Sequence, residues 1–269
     1  ITDSAALAAA CERLAQGEFL ALDTEFHRES TYWPQLCLIQ AATADFDVLV
    51  DPLAPGMDLS PLLSLIADRS RVKVFHAARQ DLEIFTRLLG APPGPIFDTQ
   101  IAAMAAGLGD SISYENIVMR LLKAQVDKSS QFTDWVRTHV ILRDRLAKRD
   151  RLAWIEEEHA ALLDPALYAM DPKEAWRRLK PRKTKADYLA ILASVALWRE
   201  QLAQELDKPR GRILKDDAIQ EIALQKPRNG EALERLRAVP SGFSRSRHGQ
   251  SLLEAITRAL DAPDVWAPE

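Results

Sequence analysis

The chain has 269 residues, 47% of them hydrophobic and 28% charged, which is enough for one large or two ordinary globular domains and excludes a disordered polar chain. Its two cysteines, Cys11 and Cys37, cannot form a disulfide framework or a zinc site, so we expect a reducing, cytoplasmic environment. No apolar run approaches the roughly 18 residues of a membrane span. We therefore predict no membrane association, and we predict no protein partner.

The formal net charge of −4 conceals an uneven distribution. Residues 1–110 carry 15 acidic residues against 7 Lys and Arg, a net of −8, whereas residues 171–250 carry 11 against 18, a net of +7. An acidic first half and a basic second half favour two separate tasks, the second of them contact with a polyanion. The alternative is that both are solvated surfaces of different charge.

The first half alternates strand and helix patterns. An amphipathic helix opens the chain, with Thr2, Asp3 or Ser4 as its cap. Strands are predicted at Phe19–Asp23, Leu36–Ala41, Phe46–Val50, Val72–Phe75 and Ile96–Phe97, and helices at 60–68, 77–89 and 100–107, with Asp98–Thr99 capping the last. This order predicts a mixed sheet with helices on its faces, which is an α/β fold.

The second half is predicted to be all-α. Helical periodicity covers 113–123, 141–163, 186–206, 216–225, 231–238 and 249–260. The basic stretch Asp171–Lys185, broken by Pro172 and Pro181, is interpreted as part of a linker.

Three acidic residues are predicted to converge at one edge of the sheet. Asp23 and Glu25 end the first strand, and side chains two apart on a strand share a face. Asp81 begins a helix that directly follows another strand, so the helix would bring it toward the pair. Converging carboxylates repel unless a cation neutralises them, and Mg²⁺ prefers such oxygen ligands. Two such ions could activate water and stabilise a leaving oxygen; the alternative is that these acids cap helices and solvate strand ends.

Several long stretches resemble bacterial ribonuclease D. They are ALDTEFHRESTYWPQLCLIQAA, DVLVDPLA, VFHAARQDLEIF, PIFDTQIAAMAAGLGDSISYENIV and DKSSQFTDW, and the later helices resemble an HRDC domain. The resemblance implies a ribonuclease H-like mixed sheet with flanking helices in residues 1–165, a linker at 166–185 and a helical HRDC-type bundle in 186–269. The family carries a further helical domain after this bundle, so either the chain is trimmed or it is a shorter relative. The absence of an N-terminal methionine favours a trimmed chain.

The resemblance implies a 3′→5′ exoribonuclease that works by two-metal-ion catalysis. Asp23, Glu25 and Asp81 would bind two divalent ions, Mg²⁺ or Mn²⁺, and Phe26 and His76 would lie beside the terminal nucleotides. The substrate would be RNA with a single-stranded 3′ end, such as a tRNA precursor, trimmed to nucleoside 5′-monophosphates. Three basic residues of the HRDC-type region would contact RNA phosphates: Arg210, Arg212 and Lys215.

One family motif is missing, a Tyr followed four residues later by an Asp that is the fourth metal ligand. The family has it soon after FTDW, yet no tyrosine occurs between Tyr114 and Tyr168, and a segment is apparently missing near 136–141. Either the continuous numbering passes over a segment of the natural protein, or the protein lacks it; we favour the former, because the flanks remain family-like. A true deletion would favour an RNA-binding protein with a degenerate nuclease site. A helical scaffold with a purely structural first domain is a third hypothesis.

Overall fold

The computed structural model describes residues 1–123, 131–169 and 171–268, with the side chains of 131–136 outside the description. The chain divides into two compact units. Unit 1 comprises Ile1–His27 and Leu36–Ala169, and unit 2 comprises Arg28–Gln35 and Met170–Glu269. The chain therefore enters unit 2 twice, first through the short segment 28–35.

Unit 1 is built on a five-stranded mixed sheet. Its strands are β1 (Phe19–His27), β2 (Gln35–Ala42), β3 (Asp47–Val50), β4 (Val72–Phe75) and β5 (Ile96–Asp98), in the order β3-β2-β1-β4-β5. Its helices are α1 (Ser4–Leu14), α2 (Ser60–Ala67), α3 (Arg79–Leu89), α4 (Thr99–Ala105), α5 (Tyr114–Leu122), α6 (Gln131–Ala147) and α7 (Leu152–Leu162), with a 3₁₀ helix at Pro165–Leu167. The predicted mixed sheet with flanking helices is confirmed.

Strand pairing places β1 at the centre of the sheet. β1 runs parallel to β4, with Ala21 opposite Val74, and β4 runs parallel to β5, whereas β2 and β3 are antiparallel. Alternation along β1 sends Leu20 and Leu22 into one buried cluster and Phe19 and Ala21 into another. Helices cover both faces of the sheet, so the strand that carries Asp23 and Glu25 is anchored from both sides.

Unit 2 is a helical bundle around the long helix α8 (Ala186–Glu205). The other helices are α9 (Arg210–Ile213), α10 (Asp216–Gln225), α11 (Gly230–Glu234), α12 (Arg247–Asp261) and α13 (Pro263–Trp266), with 3₁₀ helices at Pro172–Arg178 and Phe243–Arg245. The apolar faces of α8, α10 and α12 enclose a single core. No helix in the described part of either unit is long and apolar enough to cross a membrane.

Three predicted boundaries differ from the structure. The single helix predicted at 141–163 is two helices, α6 and α7, separated by a turn in which Asp150 has a left-handed φ of 53°. Ala175 and Leu179, from the predicted linker, are buried in the core of unit 2. Segment 28–35 also groups with unit 2, although no sequence pattern marked it.

Candidate active site

The end of β1 carries the first two acidic residues. Asp23 is half-buried and Glu25 exposed, and strand alternation puts them on the face opposite Thr24, which is 7% exposed. Because β4 is parallel to β1, its carboxyl end and the helix that follows lie at the same edge of the sheet as Asp23. The fold therefore brings the first turn of α3 to the predicted site.

Asp81 lies in that first turn and contacts β1 directly. Its Oδ1 accepts hydrogen bonds from the backbone amide of Thr24 at 3.0 Å and from the Thr24 hydroxyl at 2.5 Å. The Asp81 side chain is buried, with 6% exposure. Thr24 therefore fixes the Asp81 carboxylate beside the strand segment that carries Asp23 and Glu25. Sequence analysis did not single out Thr24.

The electrostatics of the three acids reflect their proximity. Burial, and then the charge of Glu25, raise the pKa of Asp23 to about 6. Burial chiefly raises the pKa of Asp81 to about 7; the Thr24 hydroxyl opposes this rise and the charge of Asp23 adds to it. Asp23 is thus the shared neighbour of two negatively charged groups.

The donor chemistry of this group fits a divalent cation. Carboxylate oxygens are the ligands that Mg²⁺ and Mn²⁺ prefer, and a cation would relieve the repulsion that adds to the effect of burial on these two pKa values. Among the described side chains, those of residues 1–123, 137–169 and 171–268, no three His, Cys, Asp or Glu lie close enough together to hold an ion. The fit is therefore one of charge and donor type, and assigning three ligands belongs to the proposal below.

The two residues predicted to lie beside nucleotides differ in their surroundings. Phe26 is partly exposed on β1, next to Glu25. His76 follows β4; its Nδ1 lies 3.0 Å from the Thr99 hydroxyl, and its ring meets that of Tyr114 edge-on at 5.7 Å between centroids. Burial lowers the pKa of His76, which favours a neutral ring at neutral pH. Their contact with RNA stays a prediction.

Asp98 was predicted only as the cap of the helix after β5. The structure confirms that cap, because Asp98 Oδ1 accepts hydrogen bonds from the amides of Gln100 and Ile101 at the start of α4. The same carboxylate also accepts hydrogen bonds from the amides of Ala77 and Ala78, which precede α3. The Asp-Thr pair at a strand–helix junction indicated the cap of α4. The contacts of Asp98 with Ala77 and Ala78 are long-range, so no local pattern indicated them.

The three basic residues predicted to bind RNA lie around α9 in unit 2. Arg212 and Lys215 are exposed. Arg210 pairs with the buried Glu200 through Nε and Nη2, both at 2.5 Å, and its Nη2 also donates to the Tyr32 hydroxyl at 2.8 Å. Its guanidinium is thus committed to holding segment 28–35 within unit 2, so of the three only Arg212 and Lys215 enter the proposal below.

Part of the family-like DKSSQFTDW run lies outside the described residues. Residues 124–130 and the side chains of 131–136 are not described, and these include much of the region before the missing motif. After this gap, Thr138 and His139 are buried on α6, and Leu142 belongs to the core of unit 1.

Comparison with known proteins gives the class of the chain. The family described as a 3′-5′ exonuclease matches residues 1–170, and the family described as an HRDC domain matches residues 189–256. Ribonuclease D of Granulibacter bethesdensis is 44% identical over 288 residues, covering 100% of this chain and 73% of that protein. Ribonuclease D of Nitrobacter hamburgensis is 45% identical over 282 residues, covering 97% and 73% respectively.

A solved structure agrees with these relatives. The crystal structure of Escherichia coli RNase D, an exoribonuclease involved in structured RNA processing, matches with a TM-score of 0.84 at 30% identity, covering 100% of this chain and 76% of that one. The fold is that of a 3′-5′ exonuclease domain together with an HRDC domain. The chain belongs to the ribonuclease D family, and the predicted 3′→5′ exoribonuclease activity is confirmed at this level. The family depends on divalent metal ions.

The length of the first alignment bears on the missing motif. It extends over 288 positions while the chain has 269 residues, so at least 19 aligned positions have no counterpart here.

Proposed function

We propose that Asp23, Glu25 and Asp81 hold two divalent ions, Mg²⁺ or Mn²⁺, at the edge of the sheet, and that RNA is hydrolysed there from its 3′ end. One observation carries the proposal: the buried carboxylate of Asp81 is fixed against β1 at Thr24, next to Asp23. The bound ions would lower the pKa of a water molecule and stabilise the leaving 3′ oxygen. The products would be nucleoside 5′-monophosphates.

The protein's own side chains have separate tasks in this proposal. Asp23, flanked by acidic groups, is the central ligand, and Glu25 and Asp81 complete the negative site from β1 and α3. Thr24 keeps the Asp81 carboxylate oriented. Phe26 and His76 would lie against the terminal nucleotides, where an aromatic side chain can stack on an unpaired base.

We propose that the substrate is a tRNA precursor with a short single-stranded 3′ tail and that the protein acts on it in the cytoplasm. An unstacked tail suits this site because its bases can be splayed and its 2′-hydroxyls recognised. Arg212 and Lys215 are exposed on unit 2 and would contact phosphates without reading bases. The relative from Escherichia coli, described as processing structured RNA, supports this choice.

A nuclease assay tests the proposed ligands. A 5′-labelled oligoribonucleotide is incubated with the protein and Mn²⁺, then with a chelator, and the released nucleotides are identified by chromatography. We expect a ladder that shortens from the 3′ end, needs the metal, and disappears in Asp23→Asn and Glu25→Gln. Asp47→Asn is the matched control, because Asp47 is exposed at the start of β3, in the same sheet. A ladder that persists in Asp23→Asn contradicts the proposal.

The missing motif favours a second candidate, an RNA-binding protein with a degenerate nuclease site. It predicts RNA binding by this chain, with the labelled RNA left intact in the presence of Mn²⁺. The first proposal predicts instead that the RNA is shortened from its 3′ end under the same conditions.

A further inference from the structure

One buried carboxylate organises the turn that leads into α3. Asp98, with 2% exposure, receives hydrogen bonds from Ala77 N at 3.1 Å on Oδ1 and from Ala78 N at 2.8 Å on Oδ2. Ala78 is the cap residue of α3 and provides no side-chain cap of its own. The Asp98 carboxylate therefore accepts hydrogen bonds from backbone amides at the start of α3 and also caps α4.

The neighbouring Thr99 extends this contact to the end of β4. Its hydroxyl donates to the carbonyl oxygen of Phe75 at 3.0 Å and lies 3.0 Å from Nδ1 of His76. Asp98 and Thr99 together thus contact four consecutive residues, 75–78. The backbone amide of Asp98 in turn donates to Nε2 of His159 at 2.9 Å, which anchors Asp98 and Thr99 to α7.

The turn needs such support because its backbone is strained. Ala77 has φ of 57°, a left-handed conformation that residues with a Cβ rarely adopt. Strained residues persist where the surroundings over-determine them, and they concentrate at functional sites. Here the strained residue lies directly before the helix that carries Asp81.

We propose that Asp98 is a positioning residue of the active site: its carboxylate holds the β4–α3 turn in its left-handed conformation, and through that turn it holds Asp81 against Thr24. The inference rests on the proposed function for its catalytic consequence. Its structural part, the coupling of Asp98 to the Asp81–Thr24 contact, stands on the hydrogen bonds alone. Asparagine at 98 would keep the size of the side chain but replace one acceptor oxygen with an amide that faces an N–H donor.

The first test measures the contact itself, without metal or RNA. The Thr24 amide donates to Asp81, so its hydrogen exchange reports whether α3 stays in place. We expect Asp98→Asn to accelerate exchange at Thr24, Ala77 and Ala78. Lys73→Met is the matched control: Lys73 is fully buried and its Nζ donates to three carbonyl oxygens, of Asp68, Arg71 and Gly94, so the variant also loses stability. Unchanged Thr24 exchange in Asp98→Asn, or equal acceleration in Lys73→Met, overturns the inference.

The second test measures function by Mn²⁺ titration calorimetry and by RNA shortening. Groups that hold metal ligands in place typically contribute 10- to 100-fold to affinity or activity, so we expect a loss of about tenfold or more in Mn²⁺ affinity and kcat, with KM within about twofold. Adding Ala77→Gly to the Asp98→Asn variant should raise its Mn²⁺ affinity and kcat about fivefold, equivalent to about 1 kcal/mol. Glycine has this effect because it adopts the left-handed turn without strain.

The two proposals fail in different ways. If Asp23→Asn keeps the affinity and the activity, the ligand assignment falls while the exchange result still decides the role of Asp98. If Asp23→Asn loses both but Asp98→Asn resembles Lys73→Met, the ligands stand and the positioning role is refuted.

Discussion

Thr24 and Asp81, 57 positions apart in the chain, are joined by two hydrogen bonds that end on the same carboxylate oxygen. One comes from the backbone and persists under any substitution, whereas the other comes from the hydroxyl. Thr24→Val removes only the hydroxyl while keeping a β-branched side chain for the strand. We expect kcat to fall about tenfold and the Mn²⁺ requirement to rise, because the carboxylate loses one of its two restraints. Thr24→Ser should retain most of the activity, and equal rates for valine and serine would contradict this role.

Arg210 and Arg212 are separated by one glycine but should respond differently to substitution. Arg210→Met leaves the carboxylate of Glu200, 2% exposed, without its bidentate partner, so we expect unit 2 to lose about 2–3 kcal/mol of stability in urea denaturation. Arg212→Met should leave stability unchanged but weaken RNA binding and reduce the salt slope of log K by about one. A stable Arg210→Met protein that binds RNA poorly would reverse the two assignments.

Acid should destabilise unit 1 through His139. Burial first, and then the charge of Arg143, lower the pKa of His139 to about 4 from 6.5. The unfolded state therefore takes up this proton at higher pH than the folded state, and the contribution of His139 to stability falls as pH drops from about 6.5 to 4, by at most about 3 kcal/mol. The raised pKa values of Asp23 and Asp81 act in the opposite direction over this range. In thermal melts, His139→Phe should therefore gain melting temperature relative to the wild type as the pH is lowered through this window. Parallel curves for His139→Phe and the wild type would contradict the prediction.

Gly249 lets α12 lie close to the backbone of the preceding 3₁₀ helix. A Cβ at this position would lie 2.1 Å from the carbonyl oxygen of Phe243 and 2.7 Å from the Cα of Ser244. Gly249→Ala should therefore force α12 away from the preceding 3₁₀ helix and reduce the free energy of unfolding by about 1–3 kcal/mol or more. Gly211→Ala meets nothing within 4 Å and should be neutral or slightly stabilising. Thermal melts of the two variants decide the matter.

Structural features that depend only on neighbouring residues could be predicted from the sequence. The strand alternation around Asp23 and Glu25 and the capping of α4 by Asp98 depend on side chains a few positions apart, and both are present in the structure. The break between α6 and α7 could not be predicted, because Asp150 adopts a left-handed conformation within a charged run that contains neither glycine nor proline.

Contacts between side chains far apart in the chain could not be predicted from the sequence, because they depend on how distant segments pack. The Tyr32 hydroxyl meets Glu200 and Gln204, and nothing within either local segment indicates this partnership. Arg210 was selected by its charge, yet the buried Glu200 on α8 neutralises that charge. Two of the four amides that donate to Asp98, those of Ala77 and Ala78, follow the same rule. The other two, of Gln100 and Ile101, belong to the helix that Asp98 was predicted to cap.

Segment 28–35 has a consequence for dissecting this protein. The backbone amides of Tyr32 and Trp33 both donate to Asp207, and the Tyr32 side chain is buried, with 3% exposure. A cut after residue 169 would strip these partners from the segment and leave a large aromatic side chain uncovered between the two strands that flank it. A nuclease fragment prepared in this way is therefore expected to aggregate unless Tyr32 is replaced by a polar residue.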